Sequence, residues 1–228
     1  MASRPVFLPI VKGDPFSIVK SMEVEFTWSP GLSIAQKQKN IQAIADAACQ
    51  LHISPILEVS TKSPVDMGRA LSAFALKHTL ASGEDISIEA AFQSAKVFES
   101  GGPFKDLQKA SPREARRDPR LSSSGKLKGF ELDGHFWPTH LGTAFYDWIY
   151  CSSLFRMSNA ISPIGTYEGF TDIEFNPKKS LNCQARSCAL YVALSRSGRL
   201  ADLMANPSSF QSLYTVSHSH LKTGDLFD

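Results

Sequence analysis

Hydrophobic and polar positions alternate clearly near the start of the chain. Val24 and Phe26 alternate with glutamates, which is the period of two expected for a strand with one buried face. Hydrophobic residues then recur at helical spacing over residues 33–52, after a serine that begins a capping pattern. A second apolar run at residues 56–60 predicts another strand. Residues 1–55 are therefore predicted to form a strand–helix extension.

A second pattern covers residues 87–98, which have the spacing of an amphipathic helix that ends at the following Gly-Gly-Pro sequence. Separations of three, four and seven place Glu89, Gln93 and Lys96 in one polar stripe beside an apolar face. An acid, an amide and an amine are thereby aligned on an element that packs against a core. The same pattern also fits an ordinary amphipathic helix with a solvated polar edge.

The remaining helices are predicted from caps and apolar spacing. Residues 111–114 combine a serine cap, a proline at the first helical position and a glutamate at the third, which predicts a short helix. A long helix is predicted over residues 142–160, followed by a polar loop over residues 161–180. A last clear helix is predicted over residues 181–195, with Leu181 on its inward face.

The composition is that of an ordinary globular protein. The 228 residues are 43% hydrophobic and 20% charged, enough to form a core without disulfide staples. We predict an α+β fold, mainly helical with a few short strands, forming one compact unit. Within it, residues 1–55 are the extension, residues 56–200 the main domain and residues 201–228 a tail.

Charge and cysteine content exclude several classes of protein. A net charge of +2 creates no strong field toward nucleic acid or membrane, although a local basic patch would suffice to bind DNA. The four cysteines lack zinc-like spacing and are expected to be reduced, mostly buried thiols. The apolar run at the start is too short for a signal peptide, and no run is long enough to cross a membrane. We expect a cytoplasmic protein with no metal, no cofactor and no membrane partner.

Three further polar segments are candidate binding regions. Residues 58–63 place hydroxyls and a lysine at a strand end, where phosphate or ribose often binds, although a self-capped turn has the same composition. Residues 170–186 lead into a helix whose start near Asn182 suits an anion. Residues 113–120 form a basic helix, which suits phosphate contacts but also fits a solvated face.

In this order, the segments resemble the NADAR family, which has the YbiA-like fold. The family's E-x-x-x-Q-x-x-K-[FV] helix is matched by residues 89–97, and its S-P-x-E-A-[KR] element by residues 111–116. Its D-W pair is matched by Asp147 and Trp148, and its L-S-N-F element is matched imperfectly by residues 71–74.

The late part of the chain departs from the general family. The D-x-x-W-G and G-x-N-x-L-G signatures are replaced by residues 170–182, which, together with residues 56–63, resemble the branch associated with the DarT toxin. The strand and helix of residues 1–55 also fit that branch. The similarity covers about residues 20–200.

The resemblance implies an antitoxin enzyme. DarT-type toxins attach ADP-ribose from NAD to DNA bases, and the NADAR partner of this branch removes ADP-ribose from the guanine amino group. The bond broken is the N-glycosidic link to the distal ribose, so the implied substrate is ADP-ribosylated guanine in DNA, with ADP-ribose as product. A DarT-type toxin is a possible second partner.

The implied chemistry assigns three catalytic candidates. Lys96 is expected to form a Schiff base with the opened sugar, and Glu89 to transfer the proton. Asp172 is a second carboxylate candidate, acting either as a base or as a ribose anchor. Direct attack by water is the alternative, with Glu89 or Asp172 as general base and Lys96 stabilising charge only.

Binding residues follow from the same resemblance. Trp148 is expected either in the core, which its helical spacing with phenylalanines favours, or against a base of the substrate. The other predicted substrate contacts are Ser60, Lys62, Phe74, Gln93 and Asn182, and the predicted DNA contacts are Arg113, Arg116 and Arg117.

Two other functions remain open from the sequence. One is an N-glycosidase for a small phosphorylated metabolite, as linked to the riboflavin pathway in other YbiA-like proteins. The other is an antitoxin that binds ADP-ribose or the toxin without catalysis.

Overall fold

A computed structural model describes residues 1–10 and 18–221, with side chains described through residue 215. The predicted α+β class is confirmed. The strands are β1 (Ala2–Pro9), β2 (Val19–Phe26), β3 (Ile56–Glu58), β4 (Lys77–Thr79), β5 (Asp85–Ser87), β6 (Lys96–Phe98), β7 (Leu127–Leu132), β8 (His135–Pro138) and β9 (Gly169–Thr171). The α-helices are α1 (Ile34–Gln50), α2 (Asp66–Ala70), α3 (Ile88–Ser94), α4 (Pro112–Arg117), α5 (Arg120–Ser123), α6 (Ala144–Arg156), α7 (Gln184–Arg196), α8 (Leu200–Met204) and α9 (Pro207–Leu221).

Contacts within the chain group these elements into two units. Unit 1 contains Met1–Ala75 and Arg156–Leu200, and unit 2 contains Leu76–Phe155 and the described residues from Ala201 onward. Unit 1 is therefore built from two separate stretches of sequence. The linear division at residues 55 and 200 stays a prediction.

The four-stranded sheet of unit 1 has the strand order β2-β1-β9-β3. β1 is antiparallel to both β2 and β9, whereas β3 runs parallel to β9. Val24 and Phe26 are buried and pack with Ile41 and Ile44 of α1, which confirms the predicted strand and helix. α1 begins as predicted, since the Ser33 hydroxyl accepts the backbone N–H of the third helical residue at 3.2 Å.

Two predictions in the second stretch of unit 1 are wrong. The predicted loop over residues 161–180 contains β9, a buried three-residue strand that is too short to show a period. The following helix begins at Gln184, and Leu181 is 67% exposed rather than inward. The later inward positions, such as Ala185 and Cys188, are buried as predicted.

Unit 2 is organised around aromatic side chains and two small sheets. β4 pairs with β5, and β6, β7 and β8 form an antiparallel sheet in that order. Phe130 stacks on Phe92 of α3 and on Phe145 of α6, with centroid distances of 5.1 and 4.8 Å. These stacked rings join helices and sheet within the unit.

The predicted helix over residues 87–98 is wrong in its last turn. α3 ends at Ser94, and Lys96 is the first residue of β6, where it lies opposite Phe130. The carbonyl of Ser94 accepts the N–H of Phe104, and that of Ala95 accepts the N–H of Glu131. Carbonyl groups that would continue the helix are thus bonded to distant segments of the chain.

Other predicted helices are confirmed with adjusted ends. α4 has the predicted capping box, in which Ser111 and Glu114 each bond the other's backbone N–H. The helix predicted over residues 142–160 is Ala144–Arg156, and it is shorter at both ends. Across residues 1–10 and 18–221, every helix falls short of the length or apolar content required to cross a bilayer.

Candidate active site

The first group of predicted site residues lies in unit 2, around the start of α3. The Ser87 hydroxyl caps this helix, so that Glu89 occupies its first turn and is only 8% exposed. The amide nitrogen of Gln93 donates to Oε1 of Glu89 at 2.9 Å. The same oxygen lies 3.9 Å from Nε of Arg116, which projects from α4. Glu89 is therefore held by one amide and one guanidinium.

Lys96 belongs to this group although it lies on a strand. Its side chain is half-buried, and Nζ lies 5.0 Å from the centre of the Phe92 ring. Burial is the largest influence and lowers the pKa of Lys96 below its ordinary value; Glu89 opposes this effect, and Arg116 adds to it. A larger fraction of this amine is therefore neutral at a given pH than for an exposed lysine.

Gly102 allows the chain to pass close to Lys96. Its φ of +87° lies in the region that favours glycine, and a Cβ added there would overlap the backbone carbonyl oxygen of Lys96. The Gly-Gly-Pro sequence that ends the predicted helix therefore also packs against the candidate nucleophile. This contact was not predicted.

Gln93 presents an unused acceptor in the described structure. Its side chain is 7% exposed, and Oε1 has no hydrogen-bond partner among the described residues, whereas its nitrogen is committed to Glu89. A buried acceptor without a partner costs free energy until a donor reaches it. The available oxygen suits a hydroxyl or N–H group, and it does not suit a phosphate.

The second group lies in unit 1, where two carboxyl groups are buried at the end of β3 and after β9. Both oxygens of Glu58 accept the N–H of Ile173, at 3.0 and 3.1 Å, and the Ser60 hydroxyl donates to Oε1 at 2.6 Å. Burial, and then the charge of Asp172, raise the pKa of Glu58 well above its ordinary value.

Asp172 is held by a different set of donors. Its Oδ1 accepts the N–H of Glu174 at 2.9 Å, and Oδ2 accepts the amide of Gln184 at 2.9 Å. The amide oxygen of Gln184 accepts the N–H of Ala73 at 2.8 Å, so the orientation of this amide is fixed from both ends. Burial raises the pKa of Asp172 to about 6, although these hydrogen bonds partly oppose the shift.

The predicted binding residues of unit 1 have unequal freedom to bind. Ser60 is engaged with Glu58, and its oxygen also accepts the backbone N–H of Lys62 at 3.1 Å. Among the described residues, the Lys62 ammonium donates only to the neighbouring threonine hydroxyl, at 3.2 Å. Phe74 is 36% exposed, and Oδ1 of Asn182 is buried with no partner in the described part of the chain.

Trp148 and the predicted DNA contacts lie in unit 2. Trp148 is half-buried, and its ring packs on Trp137 and Phe210, with centroid distances of 5.8 and 5.6 Å. Arg113 and Arg117 are exposed and make no ion pair within the described residues. Arg116 is the arginine that reaches Glu89.

Each unit thus brings together part of the predicted set. Unit 2 joins Glu89 and Lys96 with Gln93 and Arg116, and unit 1 joins Asp172 with Ser60 through Glu58 and the Ile173 backbone. Glu58 and Gln184 were not predicted as site residues. A glutamate inside the apolar run of residues 56–59 was an available signal for the first, and the sequence offers none for the second. In the described residues, no group of three or more His, Cys, Asp and Glu side chains is placed to hold a metal ion.

Comparison with known proteins gives one family. The family described as DarT1-associated NADAR antitoxin matches residues 2–223 of the chain. The search of curated proteins gave no match.

Ionisation of Asp172 predicts a pH dependence of stability. The pKa is about 6 in the folded protein and 3.8 for an ordinary aspartate, so the folded state binds more protons between these values. The free energy of unfolding therefore falls as pH rises from about 4 to about 6, by up to about 3 kcal/mol for this group. We expect Asp172→Asn to remove this slope in urea unfolding measured across that range. Unchanged slopes in Asp172→Asn, matching those of the exposed control Asp46→Asn, would contradict the assignment.

The close approach at Gly102 predicts a second effect, on stability. Gly102→Ala adds both an unfavourable φ and an overlap with the Lys96 carbonyl oxygen. Gly83 is a matched control, because its φ is +86° and no atom lies within 4 Å of an added Cβ. We expect Gly83→Ala to cost about 1–2 kcal/mol from strain alone, and Gly102→Ala to cost clearly more in urea unfolding. Equal losses would show that Lys96 is not held by this contact.

Proposed function

We propose that this chain, which belongs to the DarT1-associated NADAR antitoxin family, hydrolyses the N-glycosidic bond between ADP-ribose and the guanine amino group in DNA. The observation that carries the proposal is the environment of Lys96. A half-buried amine with a lowered pKa lies near the Glu89 carboxylate and over an aromatic ring. A neutral amine of this kind is a nucleophile suited to a sugar aldehyde or its imine.

The reaction begins with opening of the distal ribose. The bond between the anomeric carbon and the ring oxygen breaks as that oxygen gains a proton, which leaves a protonated imine between the sugar and the guanine nitrogen, whose N–H hydrogen is kept. The neutral Lys96 amine adds to the anomeric carbon, and the guanine nitrogen leaves with a proton as the free amino group. The resulting Schiff base on Lys96 adds water, so that the amine is released and ADP-ribose is formed.

Glu89 is the proton carrier in this sequence. It interacts with the Lys96 charge and accepts a hydrogen bond from Gln93 that fixes its carboxylate, so it can take the proton that Lys96 loses on attack. The same proton then serves the departing guanine nitrogen. Arg116, whose Nε lies 3.9 Å from Oε1 of Glu89, helps to position this carboxylate.

Asp172 is the second carboxylate of the proposal. Its pKa of about 6 allows it to accept a proton near neutral pH. Gln184 and the Glu174 backbone orient it, and Glu58 anchors the adjoining backbone at Ile173. We assign it to the activation of water or to the anchoring of a ribose hydroxyl.

Gln93 is proposed as a ribose contact rather than a phosphate contact. Its free Oε1 accepts hydrogen bonds only, and each hydroxyl of the distal ribose can supply the donor. The assignment narrows the predicted role of Gln93, because phosphate oxygens offer no hydrogen. Lys62 is retained as the phosphate contact, since its ammonium makes one weak contact in the described structure.

The covalent route is tested by trapping. We expect wild-type protein, incubated with an oligonucleotide carrying ADP-ribosylated guanine, to release unmodified DNA and ADP-ribose, as read by mass spectrometry. Borohydride added during turnover should reduce the Schiff base and leave a sugar adduct on Lys96, located by peptide mapping.

Lys96→Arg keeps the charge but cannot form the adduct, and it should be inactive. Absence of an adduct, with activity retained in Lys96→Ala, would refute the lysine mechanism. Binding of ADP-ribose without hydrolysis would refute catalysis.

The role of Gln93 is tested by a double-mutant cycle between protein and substrate. Gln93→Met keeps the length of the side chain and removes the acceptor, so kcat/KM on the full substrate should fall by roughly three- to tenfold for the lost hydrogen bond. This loss should disappear with a substrate that lacks one particular hydroxyl of the distal ribose. A loss of equal size on every deoxy analogue would show that Gln93 acts only by holding Glu89.

A further inference from the structure

The positive charge of this protein is concentrated in one short segment. Residues 105–120 carry six lysines and arginines and three acids, a net charge of +3, whereas the whole chain has a net charge of +2. By composition alone, the three acids would dilute this charge. Their contacts decide whether they do.

Each of the three carboxylates has a partner within the segment. Arg120 binds two of them, with Nη2 2.6 Å from Oδ2 of Asp106 and Nε 2.9 Å from Oδ1 of Asp118. The carboxylate of Glu114 accepts the N–H of Ser111 at 2.9 Å in the capping box. Arg120 also lies 4.6 Å above the ring of Phe104, which holds the guanidinium in place.

Four cations remain exposed, and none of them makes an ion pair in the described residues. We call this set the cationic face: Lys105, Lys109, Arg113 and Arg117. The 3₁₀ turn Lys105–Lys109 and α4 carry these side chains, and both pack on α3 through Leu107, Ala115 and Ala90. The face is thus supported by the helix that bears Glu89.

Arg116 connects the cationic face to the proposed chemistry. It lies on α4 beside Arg117, its side chain is 65% exposed, and its Nε is 3.9 Å from Glu89. The helix that carries Arg113 and Arg117 of the cationic face therefore also carries the residue that contacts Glu89.

We propose that the cationic face binds the phosphates that flank the modified guanine in DNA, and that Arg120 keeps this face free of negative charge by occupying Asp106 and Asp118. The inference deepens the proposed function and rests on it. It adds Lys105 and Lys109 to the predicted DNA contacts and gives Arg120 a positioning role. Lysine and arginine side chains that neutralise phosphates make binding strongly dependent on salt.

The first experiment compares two substrates of different length. Wild-type protein and Lys105→Gln/Lys109→Gln are assayed on an ADP-ribosylated oligonucleotide and on the ADP-ribosylated nucleoside. We expect the variant to lose roughly tenfold in kcat/KM on the oligonucleotide and nothing on the nucleoside. Its slope of log(kcat/KM) against log salt should be shallower by roughly 1.4–1.8, for two lost phosphate contacts. The matched control is Lys20→Gln/Lys39→Gln, which removes two exposed lysines of unit 1.

The second experiment separates charge from structure at Arg120. Arg120→Gln releases two carboxylates and should lower oligonucleotide turnover selectively, while sparing the nucleoside. Arg120→Gln combined with Asp106→Asn and Asp118→Asn removes all three charges and should restore most of that turnover. A merely structural role for Arg120 predicts no restoration.

The outcomes distinguish this inference from the proposed function. If both substrates are hydrolysed and every lysine variant has the same effect, the cationic face does not bind DNA, but the proposed hydrolase activity stands. If neither substrate is hydrolysed, the proposed activity is refuted. In that case, the binding of unmodified oligonucleotide, measured by fluorescence anisotropy at several salt concentrations, still tests the cationic face. Unchanged binding in Lys105→Gln/Lys109→Gln would show that the face does not bind DNA.

Discussion

The register between β6 and β7 is the constraint on which the unit 2 group depends. Pairing with Phe130 places Lys96 at the start of a strand, immediately after the helix that bears Glu89. A continuing helix would have kept the lysine on the same surface stripe as the acid. The switch from helix to strand instead draws the amine over the Phe92 ring and partly out of water. In this position Lys96 is half-buried, and burial is the largest cause of its lowered pKa.

The two units treat carboxylates in opposite ways. Glu89 has a charged partner, Arg116, and an amide partner, Gln93. Glu58 and Asp172 are both buried, their charges interact, and within the described part of the chain their hydrogen-bond donors are neutral, so both resist ionisation. Burying two carboxyl groups close together is unfavourable for the stability of the fold. Such an arrangement is more typical of groups that exchange protons in a functional site.

Sequence patterns predicted the elements whose signals are local. The hydrophobic period of β2 and α1 extends over many residues, and the cap of α4 consists of side chains that bond the adjacent backbone. Neighbouring residues therefore determine these elements. β6 and β9 have three residues each, and their conformation depends on partners far away in the chain. The pairing of Glu89 with Gln93 follows from the same local spacing, whereas Gln184 is oriented by a bond from Ala73, 111 positions away.

The order of strands in unit 1 has a consequence for biosynthesis. β9 lies between β1 and β3, yet it follows them by more than a hundred residues and leaves the ribosome long after both. In a nascent chain, β1 and β3 therefore lack the strand that pairs with both of them until most of the polypeptide has emerged. Fragments truncated before residue 169 lack the strand that joins β1 to β3, so they cannot complete this sheet.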